Sequence, residues 1–363
     1  MTPTDLSEMS LELKITSDLT GLTPAEVKAG QSVAETPVTY DAGWVLGNPH
    51  DYDRQHVVDT RQLFTFLERT QPEIVAELNI GMPGASRTKF LERIQSEVAR
   101  RGVVDVLRKG IKHGPESVTL YFQTPSEGNP TATERFAANI FGVTRQLRYS
   151  LDETQRALDL ALFVNGLPIA TLELKNQITN QTVADAISQY KRDRSPKERI
   201  FQFGVCAVHF AVDDNEVWFT TRLRGKETQF LPFNKGYNDG AGNPPNPSGI
   251  KTDYLWKDIL HGESLAGLIE NFITRIDEKD DTGKMQHKLI FPRYHQLDVV
   301  RKLLADAHEH GVGRKYLIQH SAGSGKSNSI SWLAWQLIEL TQGDKALFDT
   351  VLIVTDRRAL DSQ

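Results

Sequence analysis

Apolar and polar positions alternate most regularly between residues 156 and 176. Leucine or valine stands at every second position from Leu158 to Val164, and this period is typical of a β-strand with one buried face. The pair Asn165-Gly166 follows, which favours the tight turn of a β-hairpin. A second alternating run then returns over residues 169–175. The pattern predicts a hairpin of two strands joined at Asn165-Gly166.

The register of this hairpin follows from the burial of its aliphatic residues. Pairing Leu160 with Leu172 and Leu162 with Ala170 places all four on one face, whereas a slip by one residue mixes the two faces. Because both strands are rich in Leu, Ile and Val, the pair is more typical of the centre of a sheet than of its edge.

Other segments carry weaker patterns. Helical spacing of apolar residues predicts helices over residues 57–69, 89–109, 182–192 and 265–276. Apolar runs predict strands over residues 117–123, 201–212 and 216–221, the last two forming a second hairpin. Residues 1–55 have weak periodicity and many Thr, Gly and Pro, which predicts an irregular arm. The Gly, Pro and Asn residues of segment 234–248 predict a loop or linker.

The C-terminal segment predicts a strand, a glycine-rich loop, a helix and a second strand in succession. A short apolar run at residues 315–320 precedes Ser321-Ala-Gly-Ser-Gly-Lys-Ser327, and helical spacing follows over residues 328–340. A second apolar run at 350–355 would complete a βαβ unit with parallel strands. Upstream, the stretch Phe291-Pro-Arg-Tyr-His-Gln296 opens a helix that is predicted to run to residue 308.

Composition narrows the class of protein. The chain has 363 residues, of which 39% are hydrophobic and 25% charged, as in ordinary globular domains. No run of about 18 apolar residues is present and the N-terminus lacks a secretory signal, so we expect a cytoplasmic protein. The single cysteine, Cys206, lies in an apolar run. It allows neither an intrachain disulfide nor a cysteine-based zinc site, and a buried hydrophobic role is expected.

Net charge gives no simple sign of nucleic-acid binding. The formal charge is −5, whereas domains that bind DNA tend to be basic. Positive charge is nevertheless concentrated in segments 100–112 and 191–199. Either segment can contact a phosphate backbone, and a solvated helix face explains each equally well.

The predicted hairpin places two carboxylates opposite one another. In the register above, Asp159 faces Glu173, and Lys175 follows two residues later on the same face. Like charges in this position repel, and a shared divalent cation such as Mg²⁺ would offset the repulsion. Lys175 would then orient the attacking water or stabilise charge on the phosphate. The spacing Asp-x(13)-Glu-x-Lys predicts a PD-(D/E)xK nuclease; the alternative is a surface hairpin with an exposed Lys–Glu ladder.

The glycine-rich loop has the composition of a phosphate-binding P-loop. Gly323, Ser324 and Gly325 would turn backbone N–H groups toward phosphate, Lys326 would reach the β- and γ-phosphates of ATP, and Ser327 would bind Mg²⁺. Such loops usually have glycine where this chain has His320. Gln296 is a candidate for reading the adenine ring. No Asp-Glu pair follows the loop in the sequence, so we expect incomplete ATPase machinery in this segment.

These patterns predict an α/β protein in four parts. The first is the irregular arm, residues 1–55. The second is a PD-(D/E)xK endonuclease domain with a central mixed sheet flanked by helices, residues 56–250. A linker helix and charged segment, residues 251–284, would then lead to the start of a RecA-like P-loop helicase domain, residues 285–363.

The chain resembles the N-terminal portion of the restriction (R, HsdR-type) subunit of type I restriction-modification enzymes. The resemblance extends from about residue 57 to the end and is carried by segments 99–108, 163–176, 291–296, 319–327 and 356–358. It implies a Mg²⁺-dependent endonuclease that cuts double-stranded DNA, fused to an ATP-driven translocase and working with methylation (M) and specificity (S) subunits. It also implies that Asp159 and Glu173 bind the metal, that Lys175 assists catalysis and that Lys326 and Ser327 bind ATP.

Two features depart from that family. Its Gln-x(3)-Tyr motif, on the helix after the catalytic hairpin, is matched here by Gln189, but Asp193 stands at the tyrosine position and Tyr190 lies beside Gln189. The family subunit is also much longer, so we expect this chain to be a piece of one. Two alternatives stay open: an ATP-dependent motor whose N-terminal domain binds DNA without cutting it, and a non-catalytic remnant that only occupies partners.

Overall fold

The computed structural model of the chain describes residues 8–30, 44–126, 128–152, 155–176, 180–279, 283–343 and 345–354. The chain divides into two compact units, Met1–Phe291 and Pro292–Gln363. Among the described residues, no helix combines the length and the apolar character needed to cross a membrane.

Helices and strands alternate irregularly along the chain. The helices are α1 (Glu8–Thr20), α2 (Pro24–Gly30), α3 (Thr60–Thr70), α4 (Pro72–Glu77), α5 (Ala85–Arg101), α6 (Val103–Lys109), α7 (Pro130–Ala137), α8 (Val183–Arg192), α9 (Gly262–Gly267), α10 (Tyr294–His310) and α11 (Lys326–Glu339). The strands are β1 (Val45–Leu46), β2 (Tyr52–Asp53), β3 (Val58–Asp59), β4 (Ile111–His113), β5 (Glu116–Val118), β6 (Phe141–Arg148), β7 (Ala157–Val164), β8 (Leu167–Leu174), β9 (Val208–Val212), β10 (Val217–Thr220), β11 (Leu231–Pro232), β12 (Thr274–Lys279), β13 (Met285–Ile290), β14 (Thr341–Gln342) and β15 (Lys345–Ala346).

The first unit is built around a seven-stranded sheet in the order β1-β6-β7-β8-β9-β10-β11. The sheet is mixed, because β1 runs parallel to β6 and β8 parallel to β9, while the other neighbours are antiparallel. Helices α1 and α8 both contact strand β8. The expected α/β architecture with a central mixed sheet flanked by helices is confirmed.

Burial explains why β8 lies inside the sheet rather than at an edge. All eight of its residues are buried, and its aliphatic side chains pack with those of β7, where Leu158 and Leu160 are inaccessible to solvent. A strand covered on both faces carries few exposed polar positions. The charged side chains that remain in β7 and β8 therefore need specific partners.

The N-terminal arm differs from the expectation. Residues 8–30 form α1 and α2 instead of irregular structure, although residues 31–43 lie outside the described part of the chain. Leu11, Ile15 and Leu19 recur at helical spacing and are buried. The pattern is obscured because Glu12, on the same helix, is also buried through an ion pair with Arg145. Judged by its polarity alone, a glutamate at this position is expected to be exposed to solvent.

Four further elements are shorter or broken relative to the predictions, and the first is the strand predicted over 201–212, which is confined to Val208–Val212. The helix predicted over 89–109 is interrupted at Gly102, whose φ of 86° does not fit a helix. The strand predicted over 117–123 extends no further than Val118. The helix predicted over 265–276 ends in a π-helical turn, Leu268–Phe272, before β12. Within the segment expected to be a linker, Leu255 and Trp256 are buried in the first unit.

The second unit contains α10 and α11, close to the predicted helices, and the small hairpin of β14 and β15. Residues 315–320 and 350–354 are not strands, so that prediction is wrong for them. An extended segment becomes a strand only when a neighbour supplies hydrogen bonds, and the described residues of this unit offer no such neighbour. The motif residues Asp356, Arg357 and Arg358 lie outside the described residues.

Candidate functional site

The hairpin of β7 and β8 has the predicted register. Leu160 pairs with Leu172 and Leu162 with Ala170, and the register shifts only after Leu162. The turn residues Asn165 and Gly166 have φ values of 50° and 81°, as a tight hairpin turn with two positive φ angles requires. The prediction of the hairpin and of its register is confirmed.

Asp159 and Glu173 lie on these adjacent strands, and extending the register by one pair places them opposite one another. The backbone N–H of Leu174 donates to Oδ2 of Asp159 at 2.7 Å. Burial of the fully enclosed Glu173 and the nearby charge of Asp159 together raise the pKa of Glu173 to about 8, against the opposing effect of Arg194. The two carboxylates therefore share one electrostatic environment.

Glu173 is held by a buried ion pair. Nε of Arg194 lies 2.6 Å from Oε1 of Glu173, and the side chains are 4% and 0% exposed. The other carboxylate oxygen, Oε2, is buried and has no hydrogen-bond partner among the described residues. A buried carboxylate oxygen without a donor is costly, and a bound cation would satisfy it.

Lys175 follows directly after β8 and is itself buried. Its backbone N–H donates to the carbonyl of Val212 at 2.9 Å, which fixes it beside the end of β9. Its charge lowers the pKa of Glu173. The structure thus brings Asp159, Glu173 and Lys175 together at one end of the sheet.

Gln189 lies on α8, the helix that contacts β8. Its side chain is half-buried, and within the described residues it makes no hydrogen bond to either carboxylate. Tyr190 is the buried member of the pair, and its hydroxyl lies 2.8 Å from Oγ1 of Thr171, two residues before Glu173 on the same face. Burial, followed by the charge of Glu173, raises the pKa of Tyr190.

A signal for Tyr190 was present in the sequence. Val183, Ala186 and Tyr190 recur at helical spacing and form the buried face of α8, whereas Gln189 lies beside that face. The helix itself begins as predicted, because Thr182 and Asp185 form a capping box.

Glu12 of α1 was not predicted from the sequence to lie near the site. Oε1 of Glu12 lies 2.6 Å from Nε of Arg145, and Oε2 accepts a hydrogen bond from Nε2 of Gln146 at 2.8 Å. Burial raises the pKa of Glu12, Arg145 opposes this effect, and the charge of Asp159 adds to the increase. A third carboxylate therefore lies within electrostatic reach of Asp159.

The donor set suits a hard cation. In the part of the chain that the structure describes, no three His, Cys, Asp or Glu side chains are grouped as in a closed metal cage. Two carboxylates with an unsatisfied oxygen match Mg²⁺, which binds through one or two carboxylates and keeps several water ligands. Asp159 and Glu173 are the residues that could hold it.

The glycine-rich loop of the second unit turns through two left-handed glycines. Gly323 and Gly325 have φ values of 72° and 82°, which glycine adopts without strain. Helix α11 begins at Lys326, directly after the loop, so its N-terminal N–H groups point back toward it. Nζ of Lys326 donates to the carbonyls of His320 and Ser321 at 3.1 and 2.9 Å.

Gln296 contacts the same loop from α10. Its Nε2 donates to the carbonyls of Ser324 and Gly325 at 3.1 and 2.8 Å, and its Oε1 accepts from the N–H of Arg293. Gly325 has a φ of 82°, and a Cβ there would lie 2.3 Å from Nε2 of Gln296, so a larger residue would strain the backbone and displace the Gln296 side chain. Oγ of Ser324 is buried with no partner among the described residues, and Ser327 is half-buried in the first turn of α11.

Comparison with known proteins gives one family and several relatives. Residues 35–228, just over half of the chain, match the family "Type I restriction enzyme R protein N terminus". The chain is similar to the type I restriction enzyme HindI endonuclease subunit of Haemophilus influenzae, with 27% identity over 63% of this chain and 21% of that protein.

Two further relatives have similar names. A Methanocaldococcus jannaschii protein, provisionally named type I restriction enzyme MjaVIIIP endonuclease subunit, is 28% identical over 62% of this chain and 21% of its own length. The type I restriction enzyme SauCOLORF180P endonuclease subunit of Staphylococcus aureus is 27% identical over 64% of this chain and 22% of its own length. The matched region spans about a fifth of the length of these curated relatives.

Proposed function

Because the chain belongs to the family of type I restriction enzyme R protein N-terminal regions, we propose that its first unit cuts double-stranded DNA with Mg²⁺ as cofactor. It would do so as the restriction subunit of a type I restriction-modification system. One observation carries the proposal: Asp159, Glu173 and Lys175 meet at one end of the sheet, where Oε2 of Glu173 is buried without a hydrogen-bond donor.

Asp159 and Glu173 would hold the metal in this site, with Glu173 contributing Oε2. When bound, Mg²⁺ polarises a phosphoryl oxygen and lowers the pKa of a water ligand, which supplies the nucleophile for phosphodiester hydrolysis. The N–H of Leu174 fixes Oδ2 of Asp159, so this carboxylate needs little rearrangement on binding. Both strands are buried and hydrogen-bonded, which makes the site rigid.

Lys175 would act on the substrate. Its ammonium group, placed beside Glu173, can orient the attacking water or donate to a phosphate oxygen as negative charge develops on it. The loss of one such contact typically lowers a rate by about 10²–10³-fold. The family resemblance implies a catalytic role for Gln189, and that role stays a prediction. Tyr190 supports the hairpin through its contact with Thr171.

The second unit would bind ATP through Gly323–Ser327. Backbone N–H groups of the loop and of α11 would contact the phosphates, Lys326 would leave the loop carbonyls to reach the β- and γ-phosphates, and Ser327 would bind Mg²⁺. Gln296 supports the loop and stays a candidate for adenine contact. In a longer subunit this site would drive DNA translocation, and methylation and specificity subunits would be the partners.

The proposal is tested by exchanging Asp159 for alanine in the complete subunit, assembled with its partners. Asp159→Ala removes a metal ligand, so cleavage of plasmid DNA should be lost while DNA-stimulated ATP hydrolysis continues. Undiminished cleavage would contradict the nuclease assignment. If neither the wild-type complex nor the variant cuts DNA while both hydrolyse ATP, a motor whose N-terminal domain only binds DNA would be the better description.

A further inference from the structure

Arg194 joins three strands at the end of the sheet that carries the carboxylates. Besides the ion pair with Glu173 of β8, its Nη2 donates to the carbonyl of Ala157, at the start of β7, at 2.7 Å. Its Nη1 donates to the hydroxyl of Tyr149, directly after β6, at 3.3 Å. The guanidinium also lies 5.5 Å from the centre of the Tyr149 ring. Arg194 thereby fixes Glu173, the carbonyl of Ala157 and the hydroxyl of Tyr149 relative to one another.

The two carboxylate oxygens of Glu173 have different environments. Oε1 is engaged by Nε of Arg194 at 2.6 Å, a charge-assisted contact of short length. Oε2 is buried and has no donor among the described residues. Because a carboxylate is planar, fixing Oε1 also fixes the direction of Oε2.

We propose that Arg194 is a positioning residue that presents Glu173 to the metal through Oε2 alone. The inference rests on the proposed nuclease function, since it concerns the same metal site. It assigns single-oxygen coordination to Glu173, with Arg194 excluding Oε1 from the metal. Groups that orient a metal ligand in this way typically contribute about 10- to 100-fold to metal affinity.

The geometry requires arginine rather than a positive charge alone. A guanidinium presents donors in one plane and can reach Glu173, Ala157 and Tyr149 together, whereas a lysine ammonium is a single point on a flexible stem. Arg194→Lys therefore keeps the charge, and with it the repulsion toward a bound cation, while the fixed direction of Glu173 is lost. Any change in metal affinity then reports orientation rather than charge.

A matched control exists on α5. Arg87 is half-buried, donates to two carbonyls, those of Ile80 and Gly81, at 2.8 and 2.6 Å, and, like Arg194, lies near an aromatic ring, that of Phe64. It has no part in the hairpin site. Arg87→Lys should lower the melting temperature through a similar loss of hydrogen bonds without altering metal binding.

The experiment measures binding of Mn²⁺ to the 363-residue chain by electron paramagnetic resonance, without nucleotide. Asp159→Asn identifies the fraction of bound Mn²⁺ that belongs to the hairpin. We expect Arg194→Lys to raise the Mn²⁺ concentration for half-saturation of that site by about 10-fold or more, with the number of sites unchanged. Arg87→Lys should bind as the wild type does.

The outcomes separate the two proposals. Wild-type Mn²⁺ binding by Asp159→Asn would overturn the proposed metal site itself. Weakened binding by Asp159→Asn, together with equal binding by Arg194→Lys and Arg87→Lys, would overturn only the role of Arg194. If Arg194→Lys does not fold, Mn²⁺ binding by Tyr149→Phe tests the role of Arg194 instead. This variant removes one hydrogen-bond acceptor of Arg194 without changing the charge of the site. A rise of roughly two- to fivefold in half-saturating Mn²⁺ is then expected, and an unchanged value contradicts the proposal.

Discussion

The hairpin site of the first unit is more fully packed and hydrogen-bonded within its own unit than the glycine-rich loop is within the second unit. In the hairpin, every residue of β8 is buried and each carboxylate has a defined partner. Around the P-loop, Leu317 is 95% exposed and residues 315–320 form no strand. Local sequence is sufficient for the glycine geometry and for α11, but a strand also needs a neighbour to pair with.

The two sites also differ in how charge is handled. Glu173 and Glu12 are buried and each is paired with an arginine, so their environments are set by packing. Lys326 is exposed, and among the described residues its ammonium group donates to two loop carbonyls. A buried charge depends strongly on its single partner, whereas an exposed one can exchange partners easily. The hairpin site is therefore preorganised, whereas the contacts of Lys326 in the glycine-rich loop are easily exchanged.

The largest expected contrast between the two units is in packing. Leu160→Ala, at a fully buried position of β7, should lower the free energy of unfolding of the first unit by about 2–5 kcal/mol. Leu317→Ala, at a 95% exposed position, should change stability by less than about 0.5 kcal/mol. Chemical denaturation with hydrogen exchange of each unit measures both. Equal effects would mean that residues 315–320 are packed in solution.

The next expected difference concerns how the stability of each unit depends on pH. Asp59 caps α3, and burial raises its pKa to about 7 in the folded state from 3.8. A raised pKa stabilises the fold below pH 3.8, and this contribution is lost as the pH rises through 7. The wild type should therefore lose on the order of 3 kcal/mol relative to Asp59→Asn between pH 4 and pH 8.

A carboxylate of the second unit serves as the control for that measurement. Hydrogen bonding to Tyr316 lowers the pKa of the half-buried Asp306, so its contribution is present above pH 3.8 and disappears as the pH falls. Asp306→Asn should therefore change the pH dependence in the opposite direction. Denaturation at a series of pH values measures each variant, and a parallel change in the two would contradict the assignment of Asp59.

The parts of the site that sequence could predict depend on residues close together in the chain. Asn165-Gly166 and the alternation around it determine the hairpin and thereby the pairing of Asp159 with Glu173. Thr182 and Asp185 mark the start of α8. These signals act over a few residues, so no knowledge of the rest of the fold is needed.

The parts that sequence could not predict depend on distant partners. Glu12 is buried only because Arg145 is opposite it, and Arg194 is buried only because Glu173 and Tyr149 surround it. A pattern of polar and apolar residues places both side chains in solvent. For the same reason α1 was mistaken for irregular chain.

The central claim, that the hairpin cuts DNA, is tested most directly with Lys175→Ala. DNA cleavage and ATP turnover should be measured on the same full-length subunit, assembled with its methylation and specificity subunits. Cleavage should fall by about two orders of magnitude or more, while ATP turnover stays at the wild-type rate because Lys175 is not part of the loop proposed to bind ATP. Near-normal cleavage would contradict the role given to Lys175, and a parallel loss of ATP turnover would show that the substitution disturbs folding or assembly instead of catalysis.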